Sequence, residues 1–94
     1  MADIARSLRV AVSTGEVLFG FTQAKRAVEK KAARLVVVAR NCPEEFVGQM
    51  RKAGAKVHAF EGTNFDLGAV CGKPFAVSTL AVVKPGESDI LQVA

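Results

Sequence analysis

A chain of 94 residues with a net charge of +4, half of it hydrophobic and 23% charged, has a globular composition and excludes a disordered one. That length suffices to bury one core without metal or disulfide staples. No apolar run approaches the roughly 20 residues of a membrane span, and the opening "MADIARSLRV" lacks the apolar segment of a secretory signal, so a soluble, cytosolic protein with no membrane partner is expected.

In chain order, "DIARSLRVAVS" (residues 3–13) places Ile4, Leu8, Ala11 and Val12 at helical spacing, with Asp3 as N-cap and Gly15 as stop. "EVLFG" reads as a short buried strand ending at Gly20. Residues 22–32 suit a helix capped by Thr22, with Ala24, Ala27 and Val28 as a small inner face. Lys25, Arg26, Glu29, Lys30 and Lys31 surround that face. "RLVVVAR" is the continuous β-branched run of a strand covered on both sides.

The next helix is capped by Asn41 or Cys42, with Pro43 in its first helical position. Glu44 and Glu45 suit its positive end, and Arg51 and Lys52 its negative end. Phe46, Val47, Met50 and Ala53 form its buried stripe, and Gly54 closes it. "KVHAF" is a third strand. "GTNFDLGAVCG" is a short helix capped by Thr63 or Asn64, "FAVSTLAVV" a fourth strand, and "KPGES" a turn into a short C-terminal piece. No repeat, linker or low-complexity tract divides the chain, so residues 1–94 are expected to form one domain. Alternating helices and strands predict an α/β fold, a three-layer α/β/α sandwich with Leu35–Ala39 near the sheet centre.

Charge is unevenly placed. Residues 1–40 hold eight basic residues against three acidic ones, whereas residues 41–94 hold five basic and six acidic. Such asymmetry is the footprint of a polyanion binder, because neutralised phosphates release condensed counterions. Charge alone does not separate this from a well-solvated basic surface.

In α/β sandwiches ligands gather where strands end and helices begin, which here means Gly20–Gln23, Ala39–Pro43 and Phe60–Asn64. The first junction is the richest. Gly20 permits close approach, the first turn of the helix presents free N–H groups, and Lys25 or Arg26 lies one turn on. The same residues also describe an ordinary strand–turn–helix. A mononucleotide site would need GxxxxGK[ST] or GxGxxG, and an acidic residue after the second strand; Arg40 and Asn41 stand there instead. No carboxylate pair or Ser/His/Asp set is placed with any specificity, and no metal-ligand spacing occurs. Cys42 and Cys71 stand alone, and the one histidine, His58, lies in a strand pattern, so both thiols read as small buried hydrophobes.

"CGKPFAVS" sets Phe75 on a stiff loop before a strand. Such a Phe is either a core anchor or a platform on which an unpaired base stacks. With the basic helix and the Asn41 amide, it makes a set suited to splayed RNA nucleotides.

The stretches "LFGFTQAKRAVEKK", "VVVARNCP", "FEGTNFDLG" and "CGKPFAVSTLAVVKPGESDIL" together resemble the L-thirty-e ribosomal proteins of archaea and eukaryotes, within the wider L-seven-Ae superfamily that binds kink-turn RNA. The resemblance covers nearly the whole chain; with no extension at either end, the chain is expected to be of the archaeal type. It implies a mixed, four-stranded sheet and a non-enzymatic structural constituent of the large ribosomal subunit, without cofactor, that binds rRNA at a kink-turn or similarly bent internal loop. It further implies rRNA and neighbouring large-subunit proteins as partners, a ribosome-associated cytoplasmic location, and a monomer when free. A free kink-turn adaptor in small ribonucleoproteins is the alternative, and would need a protein-binding surface besides the RNA site.

Carried over by resemblance, Gly20 gives close approach, while Phe21, Thr22 and Gln23 line the bulged nucleotides. Arg26 pairs with phosphate, and Asn41 bonds a base or backbone. Phe75, Ala76 and Val77 form an apolar wall against flipped-out bases. Superfamily members outside this branch often carry Asn-Glu where this chain has Thr22-Gln23; Gln23 keeps an amide and lacks the carboxylate.

Overall fold

The computed structural model describes residues 4–93, in the order α1 (Ile4–Thr14), β1 (Glu16–Phe19), α2 (Phe21–Glu29), β2 (Leu35–Val38), α3 (Glu44–Lys52), β3 (Val57–Ala59), α4 (Asn64–Val70), β4 (Thr79–Lys84) and α5 (Ile90–Val93). The N-cap expected at Asp3 lies outside the described residues. No described helix is long and apolar enough to cross a membrane.

The four strands form one sheet in the order β1–β4–β2–β3. β4 runs antiparallel to both β1 and β2, and β3 runs parallel to β2, so the sheet is mixed. Every residue of β2 is buried, as its unbroken β-branched run requires. Leu35 and Val37 face a core closed by Leu8 and Ala11 of α1, Leu67 of α4 and Ile90 of α5. Val36 and Val38 face the opposite core, closed by Ala24, Ala27 and Val28 of α2 and Met50 of α3. This is a three-layer α/β/α sandwich. Each fully buried Leu or Val adds about 1.5–3 kcal/mol relative to an exposed one, so β2, serving both cores, anchors the whole.

Cys71 belongs to the first core and Cys42 to the second. Burial pushes the Cys71 thiol up to about 11, against the opposing pull of the Lys73 cation. A thiol so raised is protonated at neutral pH and is no nucleophile. The Cys42 Sγ lies 3.5 Å from the Thr79 Oγ1, a buried polar contact between the loop after β2 and the first residue of β4. Both cysteines are packing residues.

Element ends depart from expectation at four places. α2 begins at Phe21 with Gly20 as its N-cap, so Thr22 is already helical and its hydroxyl makes no cap hydrogen bond. The helix stops at Glu29 because Lys31 takes a left-handed φ of 57°. There the Lys31 N–H donates to the Val28 carbonyl and the Ala32 N–H to the Ala27 carbonyl, closing the last turn. For α3, Pro43 takes the N-cap place at φ −56° and ψ 133° rather than the first helical position, and neither Asn41 nor Cys42 caps it. β4 begins at Thr79, with 75–78 a loop.

Other ends follow the pattern. Thr63 caps α4 in a full capping box, its Oγ1 accepting from the Asp66 N–H while its own N–H donates to the Asp66 Oδ2 at 3.0 Å. The C-terminal turn docks on α1, where the Ser7 hydroxyl donates to Asp89, the Ser88 hydroxyl to the Ser7 carbonyl, and the Glu87 N–H to the Thr14 Oγ1. Thr63→Ala removes one half of the α4 box; it is expected to lower unfolding free energy by about 1 kcal/mol with an unchanged m-value, read from urea melts.

Candidate nucleic-acid interface

Because β4 runs against its neighbours, the carboxyl ends of β1, β2 and β3 and the start of β4 share one edge of the sheet. Backbone hydrogen bonds tie the segments there. The Gly20 N–H donates to the Thr79 carbonyl at 2.9 Å, and the Ala39 N–H to the Ser78 carbonyl at 2.8 Å. The Val77 N–H reaches the Asn64 carbonyl at 2.9 Å, and the Arg40 N–H reaches the Gly62 carbonyl at 2.8 Å. All three strand-to-helix junctions and the loop before β4 therefore sit side by side.

At the first junction Gly20 has φ 97°, a backbone that side chains resist, and a Cβ built there would meet nothing within 4 Å. The glycine is required by conformation, and it leaves bare backbone facing solvent. Thr22 and Gln23 are exposed in the first turn of α2, and Lys25 and Arg26 are exposed further along it. The first N–H groups of a helix have no intrahelical acceptor, so this end presents donors and a partial positive charge. Phe21 behaves otherwise than expected: its ring stacks on Phe46 of α3, centroids 4.1 Å apart and planes 20° from parallel. It is half-buried against the second core, and its ring joins α2 to α3.

Asn41 is exposed at the second junction and is held by Asn64 at the third. Its Oδ1 accepts from the Asn64 N–H at 3.0 Å, and its Nδ2 donates to the Asn64 Oδ1 at 3.1 Å. This pair fixes both loops and leaves the second amide hydrogen of Asn41 for a ligand. Asn64, which the sequence places at the end of the third junction and as a candidate cap, is thus part of the edge. No periodicity signals it, since its partner lies 23 residues away.

The loop before β4 carries Phe75 and Ala76 exposed, Phe75 at 54%. Val77 is only 2% exposed and packs in the first core with Leu67 and Leu80, so its side chain is no part of an outward apolar wall. The loop lies tight on α4: an ideal Cβ at Gly68 would come 2.2 Å from the Phe75 carbonyl oxygen, so only glycine allows that approach. Lys73 was also missed. Its Nζ sits 4.8 Å from the ring centroid of Phe19, a cation–π contact that holds a positive charge beside the end of β1.

A cleft of about 860 Å³ opens between α3 and the ends of β2 and β3. Arg40 and Arg51 on its wall are balanced by Glu44 and Glu61, so the excess positive charge lies with α2 rather than here. The assembled edge offers backbone and side-chain donors, cations and an exposed aromatic ring, which is chemistry for phosphates and unpaired bases.

The family described as "Ribosomal protein L7Ae/L30e/S12e/Gadd45 family" matches residues 2–92. Proteins named "Large ribosomal subunit protein eL30" are similar over almost the full length. The one from Methanospirillum hungatei is 48% identical over 98% of this chain and 98% of its own. That of Methanoregula boonei is 47% identical, over 97% and 95%. That of Pyrobaculum neutrophilum is 40% identical, over 99% and 96%. On this agreement of sequence and fold, the chain belongs to the ribosomal protein L7Ae/L30e/S12e/Gadd45 family.

Proposed function

We propose that the protein is a non-enzymatic structural constituent of the large ribosomal subunit, a single RNA-binding domain that holds rRNA at a kink-turn or similarly bent internal loop. Its partners are that rRNA and neighbouring large-subunit proteins; it acts in the cytoplasm on the ribosome and is a monomer when free. The observation that carries this reading is the gathering of Gly20, the start of α2, Asn41 and exposed Phe75 on one hydrogen-bonded edge, with exposed Lys25 and Arg26 further along α2.

The division of labour follows from the chemistry of each group. Lys25 and Arg26 neutralise phosphates, Arg26 with a planar fork suited to paired oxygens. Gly20 lets the RNA backbone approach the start of α2, where unpaired N–H groups and the Thr22 and Gln23 side chains meet bulged nucleotides. The remaining Asn41 amide hydrogen bonds a base or backbone oxygen. Phe75, with Ala76 beside it, receives the face of a flipped-out base. A straight duplex offers no such base, since A-form helices bury their faces in the stack. Recognition is therefore of shape and of unpaired nucleotides together.

Two substitutions test this reading on a kink-turn RNA. Phe75→Ala is expected to lose about 1–3 kcal/mol of binding free energy in a fluorescence titration, while its thermal melt stays at the wild-type position because the ring is exposed; a sharp fall in Tm instead would make Phe75 a core residue. Arg26→Ala is expected to make the slope of log K against log salt shallower by about one unit, and an unchanged slope would remove Arg26 from the phosphate contacts.

A further inference from the structure

Two large hydrophobic side chains are exposed among the described residues, Phe75 at 54% and Phe65 at 73%. The family resemblance gives Phe75 a task and gives Phe65 none. Isolated surface hydrophobics are ordinary, so exposure alone says little. Position says more. Phe65 stands in the first turn of α4 directly after Asn64, which Asn41 and Val77 tie into the RNA-facing edge from two directions. The Phe65 N–H is itself bonded to the Asn64 Oδ1 at 3.1 Å.

Helical spacing puts Phe65 on the same face as Gly68, three residues on, and the Phe75 carbonyl rests against that glycine. The main chain of Phe75 thus rests on α4 one turn beyond Phe65, a rise of about 5 Å along the helix. The residues between them on that face, Gly68 and Ala69, are small. The main chain of Lys73 is also tied to α4, its N–H donating to the Gly68 carbonyl, while its cation sits over Phe19.

We propose that Phe65 is a second base-stacking platform, receiving an unpaired base adjacent to the one held by Phe75, so that the edge grips two nucleotides of the bent loop. This rests on the RNA reading above and extends it. The occupant is a base rather than a protein side chain because Asn64, directly before Phe65, is tied by Asn41 and Val77 into the same edge. A phenyl ring also stacks on any base without needing hydrogen bonds.

The test uses the full chain and two kink-turn RNAs differing by one unpaired nucleotide next to the flipped-out one. Phe65→Ala is expected to weaken binding to the longer-looped RNA by about 5- to 150-fold and to leave the shorter-looped RNA within twofold of wild type. Phe65→Trp creates the only tryptophan in the chain, and its emission is expected to be quenched by the longer-looped RNA. Wild-type affinity of Phe65→Ala for both RNAs, with Phe75→Ala still impaired, would overturn the second platform while leaving the RNA edge intact. Intact RNA affinity coupled to lost association with large subunits would assign Phe65 to a protein neighbour and equally overturn it. Failure of the wild-type protein to prefer either kinked RNA over a straight duplex would overturn the function itself.

Discussion

The insertion of β4 between β1 and β2 is the constraint on which the rest depends. β4 is the last strand in the chain, yet it pairs antiparallel with the first two. That one placement brings the loop before it back to the edge where the other strands end. Were β4 at a sheet margin, Phe75 would stand away from Gly20 and Asn41. The pairing is secured from both sides of the sheet, since Leu80 and Val82 serve one core and Ala81 the other, all fully buried. Separating β4 from the sheet would expose both cores at once, so the edge inherits the stability of the whole domain.

What the edge gains is a fixed arrangement. Asn41 and Asn64 lock two loops together, Gly68 lets the third lie flat on α4, and the Gly20 N–H is held by β4. Binding a flexible RNA loop costs order in the RNA; a preformed protein surface avoids a second cost of that kind. Charge is distributed to match. The exposed Lys25 and Arg26 lie on α2, whereas the α3 side balances Arg40 and Arg51 with Glu44 and Glu61. A polyanion is thereby drawn to one side of the edge rather than to all of it.

Much of this was legible in the sequence because local patterns dictated it. The run Leu35–Val38 carries the pattern of a doubly covered strand, and Thr63 was one of the two residues placed to cap α4. The errors arose where distant contacts decide. Thr22 looked like a cap, but Gly20 at φ 97° starts the helix two residues sooner. Nothing near Phe21 in sequence announces Phe46, 25 residues on, as its stacking partner. Val77 looked like part of an outward wall. Strand parity from Leu80 and Val82 would also have sent it to the other side, yet β4 has not begun there and the loop turns it into their core. The Asn41–Asn64 pair, the Lys73–Phe19 contact and the approach of Phe75 to Gly68 exist only once the topology is known.

The central claim is that this edge selects bent RNA rather than RNA in general, and its most direct test is a titration of the pure protein against a kink-turn RNA and a straight duplex of equal length at two salt concentrations. The account predicts tight binding to the kink-turn that weakens as salt rises, and weak binding to the duplex. Equal, weak binding to both would mean that the charge is generic and the assembled edge confers no selectivity.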